Sequence, residues 1–121
     1  MVVLDSSAIL ALLQDEPGAG IVEAALEAGA ACGAANWCEV VQKSLGAGRD
    51  IVAMSQLLDA YDLAIEPVTR ADAERAAELW TSDPALSLGD RLCLALARRL
   101  GVTALTADSA WGAGAEVQQI R

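Results

Sequence analysis

The sequence predicts an α/β fold built on a central parallel sheet. Short β-like runs alternate with helical patterns from one end of the chain to the other, and no linker, low-complexity tract or internal repeat interrupts them. Alanine and leucine supply much of the apolar content while aromatic residues make up only 3%, a balance that suits closely packed helices better than a β-sandwich. A length of 121 residues is that of one ordinary domain, able to bury roughly two thirds of its unfolded surface. The whole of residues 1–121 is therefore expected to form a single unit, with four or five strands among about six helices.

Val2 to Leu4 is an apolar run ending at Asp5-Ser6-Ser7, residue types whose side chains satisfy free amides at a helix start, so a strand feeds a helix through Ala8 to Leu13. After the Glu16-Pro17-Gly18 break, Val22, Ala25, Leu26 and Gly29 follow helical spacing, and the small-residue run Ala31 to Ala35 reads as a second strand. Asn36 is expected to cap a helix with an apolar stripe of Trp37, Val40, Val41 and Leu45, closed by the glycines at 46 and 48. A further amphipathic helix runs through Ile51, Met54, Leu58 and Tyr61.

Leu63 to Val68 makes a short strand, and Thr69 with Asp72 forms a capping box for a helix through Ala73, Ala76, Ala77 and Trp80, stopped at Asp83-Pro84. Ser87 with Asp90 repeats that pattern before Leu92 to Ala97, apolar on all sides and so expected to be buried, with Gly101 ending the helix. Val102 to Leu105 is the next strand, Thr106-Ala107-Asp108 opens a short turn through Trp111, and Val117 to Ile120 adds an edge strand.

Several function classes are excluded by composition. No apolar run approaches the roughly 20 residues needed to cross a bilayer, and the apolar start lacks a basic leader, so a soluble cytoplasmic protein is expected. Cys32, Cys38 and Cys93 are odd in number and widely spaced, which suggests buried thiols rather than a disulfide framework or zinc knuckle. Histidine is absent, which removes the usual general base, the hydrolase triads and the commonest transition-metal ligand. A net charge of −9 argues against passive nucleic-acid binding, which draws its affinity from lysine and arginine on phosphates.

The informative residues are acids at strand-to-helix junctions. In a parallel sheet these junctions share one edge, where ligands bind, so acids at successive junctions converge. Asp5 follows the first strand, Glu39 lies in the first turn after the second, Asp90 opens the buried helix and Asp108 follows the 102–105 strand. Singly, each is explained as a helix cap or dipole partner, and Glu39 also stands four residues before Lys43 as an ordinary helix-surface pair. Together they repel, by about 4 kcal/mol for a pair 4 Å apart at an effective dielectric near 20, so the cluster calls for a counter-cation. Oxygen donors without histidine or paired cysteine suit Mg²⁺ or Mn²⁺. Such an ion lowers the pKa of bound water and polarises a phosphate, and it locally reverses the sign of an acidic site. Lys43, Arg49, Arg91, Arg98 and Arg99 are the cations nearest this edge in sequence.

With these residues located, the chain resembles the PIN-domain ribonucleases, most closely the VapC-type toxins of bacterial toxin–antitoxin pairs. The likeness spans the whole chain and rests on VVLDSSAILALL at the start, NWCEVV around Glu39, SLGDRLCLALARRLGVTALTADSAW in the last third, and their order. It implies a three-layer α/β/α fold and a Mg²⁺-dependent endoribonuclease. Asp5 and Asp90 would be direct metal ligands, with Asp108 completing or extending the metal site. Glu39 would orient a ligand or the attacking water, and Ser7 and Thr106 would hold carboxylates through their hydroxyls. The partners implied are an RNA substrate, a second copy of the chain in a homodimer, and a cognate VapB-like antitoxin.

The competing expectations are a catalytically inactive PIN-like module that binds RNA or a protein, a structural domain whose acids are all caps, and a phosphoryl-transfer or receiver domain using Asp5. Against the last, Ser7 stands where the second acid of a D-x-D pair would be, and the sole lysine, Lys43, is poorly placed.

Overall fold

The computed structural model describes all 121 residues. In chain order the elements are β1 (Val2–Leu4), α1 (Ser6–Leu13), α2 (Ala19–Ala28), β2 (Ala30–Gly33), α3 (Ala34–Gly46), α4 (Ile51–Ala60), β3 (Ala64–Glu66), α5 (Arg70–Ser82), α6 (Leu88–Leu100), β4 (Thr103–Thr106), a short 3₁₀ turn (Ser109–Trp111) and β5 (Val117–Gln119). The five strands form one sheet in the order β3-β2-β1-β4-β5, with every neighbouring pair parallel.

The chain lays β1, β2 and β3 outward in one direction, then returns through α5 and α6 to place β4 on the other side of β1. Right-handed crossovers in opposite directions put their helices on opposite faces, and the packing follows this rule. Leu4, Cys32 and Leu105 point to the face covered by α1 to α4, where they meet Ile9, Leu26, Val40 and Leu58. Val3, Ala31 and Ala104 point the other way, onto Cys93, Leu96 and Ala97 of α6. The outcome is the expected three-layer α/β/α arrangement around a parallel sheet. Each fully buried leucine or isoleucine in it contributes about 1.5–3 kcal/mol. No helix is long and apolar enough to cross a membrane.

The two expected capping boxes form, with Thr69 and Asp72 opening α5 and Ser87 and Asp90 opening α6. Gly101 ends α6 in the left-handed region at φ 68°, a conformation that costs a glycine nothing. The centre of α6 is buried because the sheet lies under it and α5 lies over it.

Other local expectations are corrected. β2 spans Ala30–Gly33 rather than 31–35, because its pairing with β1 and β3 stops at Gly33, and the helix begins at Ala34 with Gly33 at the cap position. Asn36 is therefore inside the first turn of α3 and caps nothing. The α3 face that is fully buried is Asn36, Val40 and Ser44, while Leu45 is 62% exposed. In α5 the buried residues are Asp72 and Ala76, and Trp80 is 57% exposed, because the helix faces α6 through its acid rather than its aromatic. Cys32 and Cys93 are buried as expected, but Cys38 is exposed on α3.

Candidate functional site

β1 is the central strand, and the chain runs outward from it to β2 on one side and returns to β4 on the other, so the carboxyl ends of β1 and β4 form the switch point at which open parallel sheets bind ligands. Asp5 is the first residue past β1 and is only 2% exposed. Its extended backbone makes it the N-cap of α1, and Oδ1 accepts from the Ala8 amide at 2.8 Å. The parallel register pairs Leu4 with Leu105, which sets Thr106 beside Asp5. The fully buried Thr106 hydroxyl donates to Oδ2 of Asp5 at 2.6 Å, and the Ser7 hydroxyl lies 2.7 and 2.9 Å from the two carboxylate oxygens.

These two hydroxyls also anchor the chain after β4. The Ala107 amide donates to Ser7 Oγ at 2.9 Å and the Asp108 amide donates to Thr106 Oγ1 at 3.0 Å. Asp108 is thus tied to Asp5 through a shared hydroxyl. Its own carboxylate caps the 3₁₀ turn, with Oδ1 accepting from the Ala110 amide at 2.9 Å. Gln119 of β5 braces the same loop by donating to the carbonyls of Asp108 and Gly112.

Asp90 serves the α6 capping box, its Oδ2 accepting from the Ser87 amide at 2.9 Å. Glu39, one turn into α3, makes no ion pair with Lys43. Instead its Oε1 accepts from Asn36 Nδ2 at 3.1 Å and from Ser6 Oγ at 3.3 Å. Glu39, Asp90 and Asp108 therefore share a pattern in which the protein holds one carboxylate oxygen and no protein donor holds the other.

Burial raises the Asp5 pKa above its ordinary value, with the Asp90 charge adding to the rise, and the bonds from Thr106, Ala8 and Ser7 only partly offset it. The thiol of Cys93 is raised well above the usual range, first by burial and then by Asp5, Cys32, Asp90 and Glu39. That of Cys32 is pushed up to about 12 by burial and by the charges of Asp5 and Glu39. Asp5, Glu39 and Asp90 thus share one neighbourhood above these protonated, unreactive thiols. As the side chains stand, no three acids or cysteines are close enough to grip one ion together.

None of the four acids has a cationic partner, since the ion pairs of the chain are Arg70–Glu74, Arg75–Glu78, Arg99–Asp72 and Arg121–Glu16. Arg91, next to Asp90 in sequence, turns to the carbonyls of Leu86 and Ala76. A carboxylate buried without compensating positive charge is costly, so the donor set fits a hard divalent cation that would supply that charge. The capping role of Asp5, Asp90 and Asp108 is real as well; it occupies one oxygen of each and leaves the burial of Asp5 unexplained.

Ser6, Asn36, Gly89 and Gln119 support the site without having been expected to. Of these only Asn36 had a local signal, its placement one turn before Glu39 on the same helix face.

The chain matches the family model described as PIN domain over residues 2–116. No curated protein matches it. Among solved structures it is similar to a toxin–antitoxin complex from Klebsiella pneumoniae, with TM-score 0.78 and 19% identity over 100% of this chain and 98% of the other. It is also similar to VapBC2 from Rickettsia felis bound to a DNA fragment from their promoter, with TM-score 0.71 and 14% identity over 98% of each chain. FitAcB from Neisseria gonorrhoeae has TM-score 0.66 and 17% identity over 100% of this chain and 97% of that one.

Proposed function

Since the chain belongs to the PIN domain family, we propose that it is a Mg²⁺-dependent endoribonuclease, with Mn²⁺ an alternative ion, and the toxin of a VapBC-type toxin–antitoxin pair. Residues 1–121 act as one nuclease unit. The observation that carries this reading is the buried Asp5 carboxylate, fully hydrogen-bonded yet without a cation, beside Asp90 and Glu39 at the carboxyl edge of the sheet.

Asp5, Asp90 and Asp108 would hold the ion and Glu39 would orient a ligand or the attacking water. The bound ion would activate water and stabilise charge on the scissile phosphate. Ser7 and Thr106 keep Asp5 in one orientation and fix the loop carrying Asp108 at a constant distance from it. Asp90 and Asp108 each keep one oxygen without a protein donor, which would be available to an ion, and Glu39 keeps one that would be available to a ligand or water.

The likeness in fold to a chain of a toxin–antitoxin complex and to one of VapBC2 supports a VapB-like antitoxin as partner, and the same reading takes the toxin as a cytoplasmic homodimer. The alternative is a PIN module that binds RNA or a protein without cutting. Inducing the wild-type and Asp5→Ala proteins in cells and mapping RNA ends separates the two: cuts made only by the wild type give substrate and mechanism together. In vitro, Asp90→Asn abolishes cleavage while circular dichroism stays that of the folded chain. Cleavage retained by that variant removes Asp90 from the mechanism.

A further inference from the structure

Asn36 is 1% exposed, and its side chain does something other than cap its helix. The amide nitrogen faces two acceptors at once, Glu39 Oε1 at 3.1 Å and the Gly89 carbonyl at 3.2 Å. The amide oxygen is enclosed with no donor in reach. A buried acceptor left unpaired is a standing cost, and an asparagine serving only the packing would be expected to satisfy both ends. The orientation is set by the two acceptors.

Gly89 completes the arrangement. A Cβ there would lie 2.7 Å from Glu39 Oε1, so only glycine lets the carboxylate rest against this turn. Ser6 at the start of α1 reaches the same oxygen. One oxygen of Glu39 is thus held by donors from α1 and α3 and rests against Gly89 of α6, while the other has no protein donor, and the residue after Gly89 is Asp90.

We propose that Asn36 is a positioning residue of the acid site: it holds Glu39 by one oxygen, presents the other, and ties that carboxylate to the turn carrying Asp90. The inference rests on the reading of these acids as a divalent-ion site. Removing groups that orient a metal site without touching the ion weakens affinity by roughly 10- to 100-fold.

The test uses the full chain and Mn²⁺ as probe, with free ion followed by electron paramagnetic resonance and RNA cleavage measured in parallel. Asn36→Leu is the decisive variant, because it keeps the branched outline of the side chain, deletes the orphaned oxygen and removes the donor. It is expected to melt no lower than wild type, bind Mn²⁺ at least roughly tenfold more weakly, and lose kcat with KM for RNA unchanged. Gly89→Ala, which displaces Glu39 from the opposite side while Asn36 stays, is expected to show the same loss of affinity. Wild-type Mn²⁺ affinity in a folded Asn36→Leu overturns the proposal. If that variant does not fold, wild-type affinity in Gly89→Ala overturns it. Failure of the wild-type chain itself to bind Mn²⁺ removes the metal-site reading, which is a different result from a wild type that binds and variants that bind equally well.

Discussion

At the scale of single residues, Asp5 shows how a site departs from what stability alone would choose. It accepts bonds from Ser7, Ala8 and Thr106, yet burial still raises its pKa and no cation offsets the charge. An asparagine keeps the acceptor for the Ala8 amide and carries no charge to desolvate. Asp5→Asn is therefore expected to melt at the same temperature or higher in chelator, to lose all response to Mn²⁺ and to cut no RNA. A clear fall in its melting temperature would mean that the ionised carboxylate is a net stabiliser.

At the scale of elements, α5 and α6 are held together by an acid used twice. Asp72 closes the capping box of α5 and receives Arg99 of α6, whose Nε lies 3.0 and 3.2 Å from its two oxygens. Burial raises the Asp72 pKa, but the Arg99 guanidinium and the Thr69 bonds outweigh it, so the folded-state value lies below the ordinary 3.8. The unfolded chain thus takes up the proton first on acidification. The contribution is present in full above that value and is lost as the pH falls through the lower folded one. Asp72→Asn is expected to cost about 2 kcal/mol in urea unfolding at pH 7, with the gap closing below pH 3.8. A gap of constant size across that range would show that the charge contributes nothing.

At the scale of the whole molecule, a net charge of −9 and an unpaired acid cluster make the same demand. A ligand that binds only the folded chain stabilises it by about 2.7 kcal/mol at one hundred times its Kd. Saturating Mn²⁺ is therefore expected to raise the melting temperature by several degrees over chelator, and RNA binding is expected to weaken when the ion is removed. An unchanged melt would leave Asp5, Asp90 and Asp108 as caps alone. Cations do not gather at the site to replace the ion, since Arg91 binds carbonyls and Arg99 binds Asp72.

Periodicity, capping pairs and strand-to-helix junctions were enough to place the parallel sheet, both capping boxes and the strand-to-helix junctions that carry Asp5, Glu39, Asp90 and Asp108. Those features depend on interactions within a turn or two and on the geometry that any parallel sheet imposes. The partners of each side chain had to wait for the tertiary structure. Thr106 reaches Asp5 across 101 positions because β1 and β4 pair in one register, and Asn36 turns from a cap to the Gly89 carbonyl 53 positions away because α6 packs beside α3. Trp80 and Leu45 are exposed, although their spacing marked them as core, because the neighbouring helices cover other faces. Local sequence sets which conformations are cheap, whereas packing decides which face is buried and which distant group a polar atom must find there.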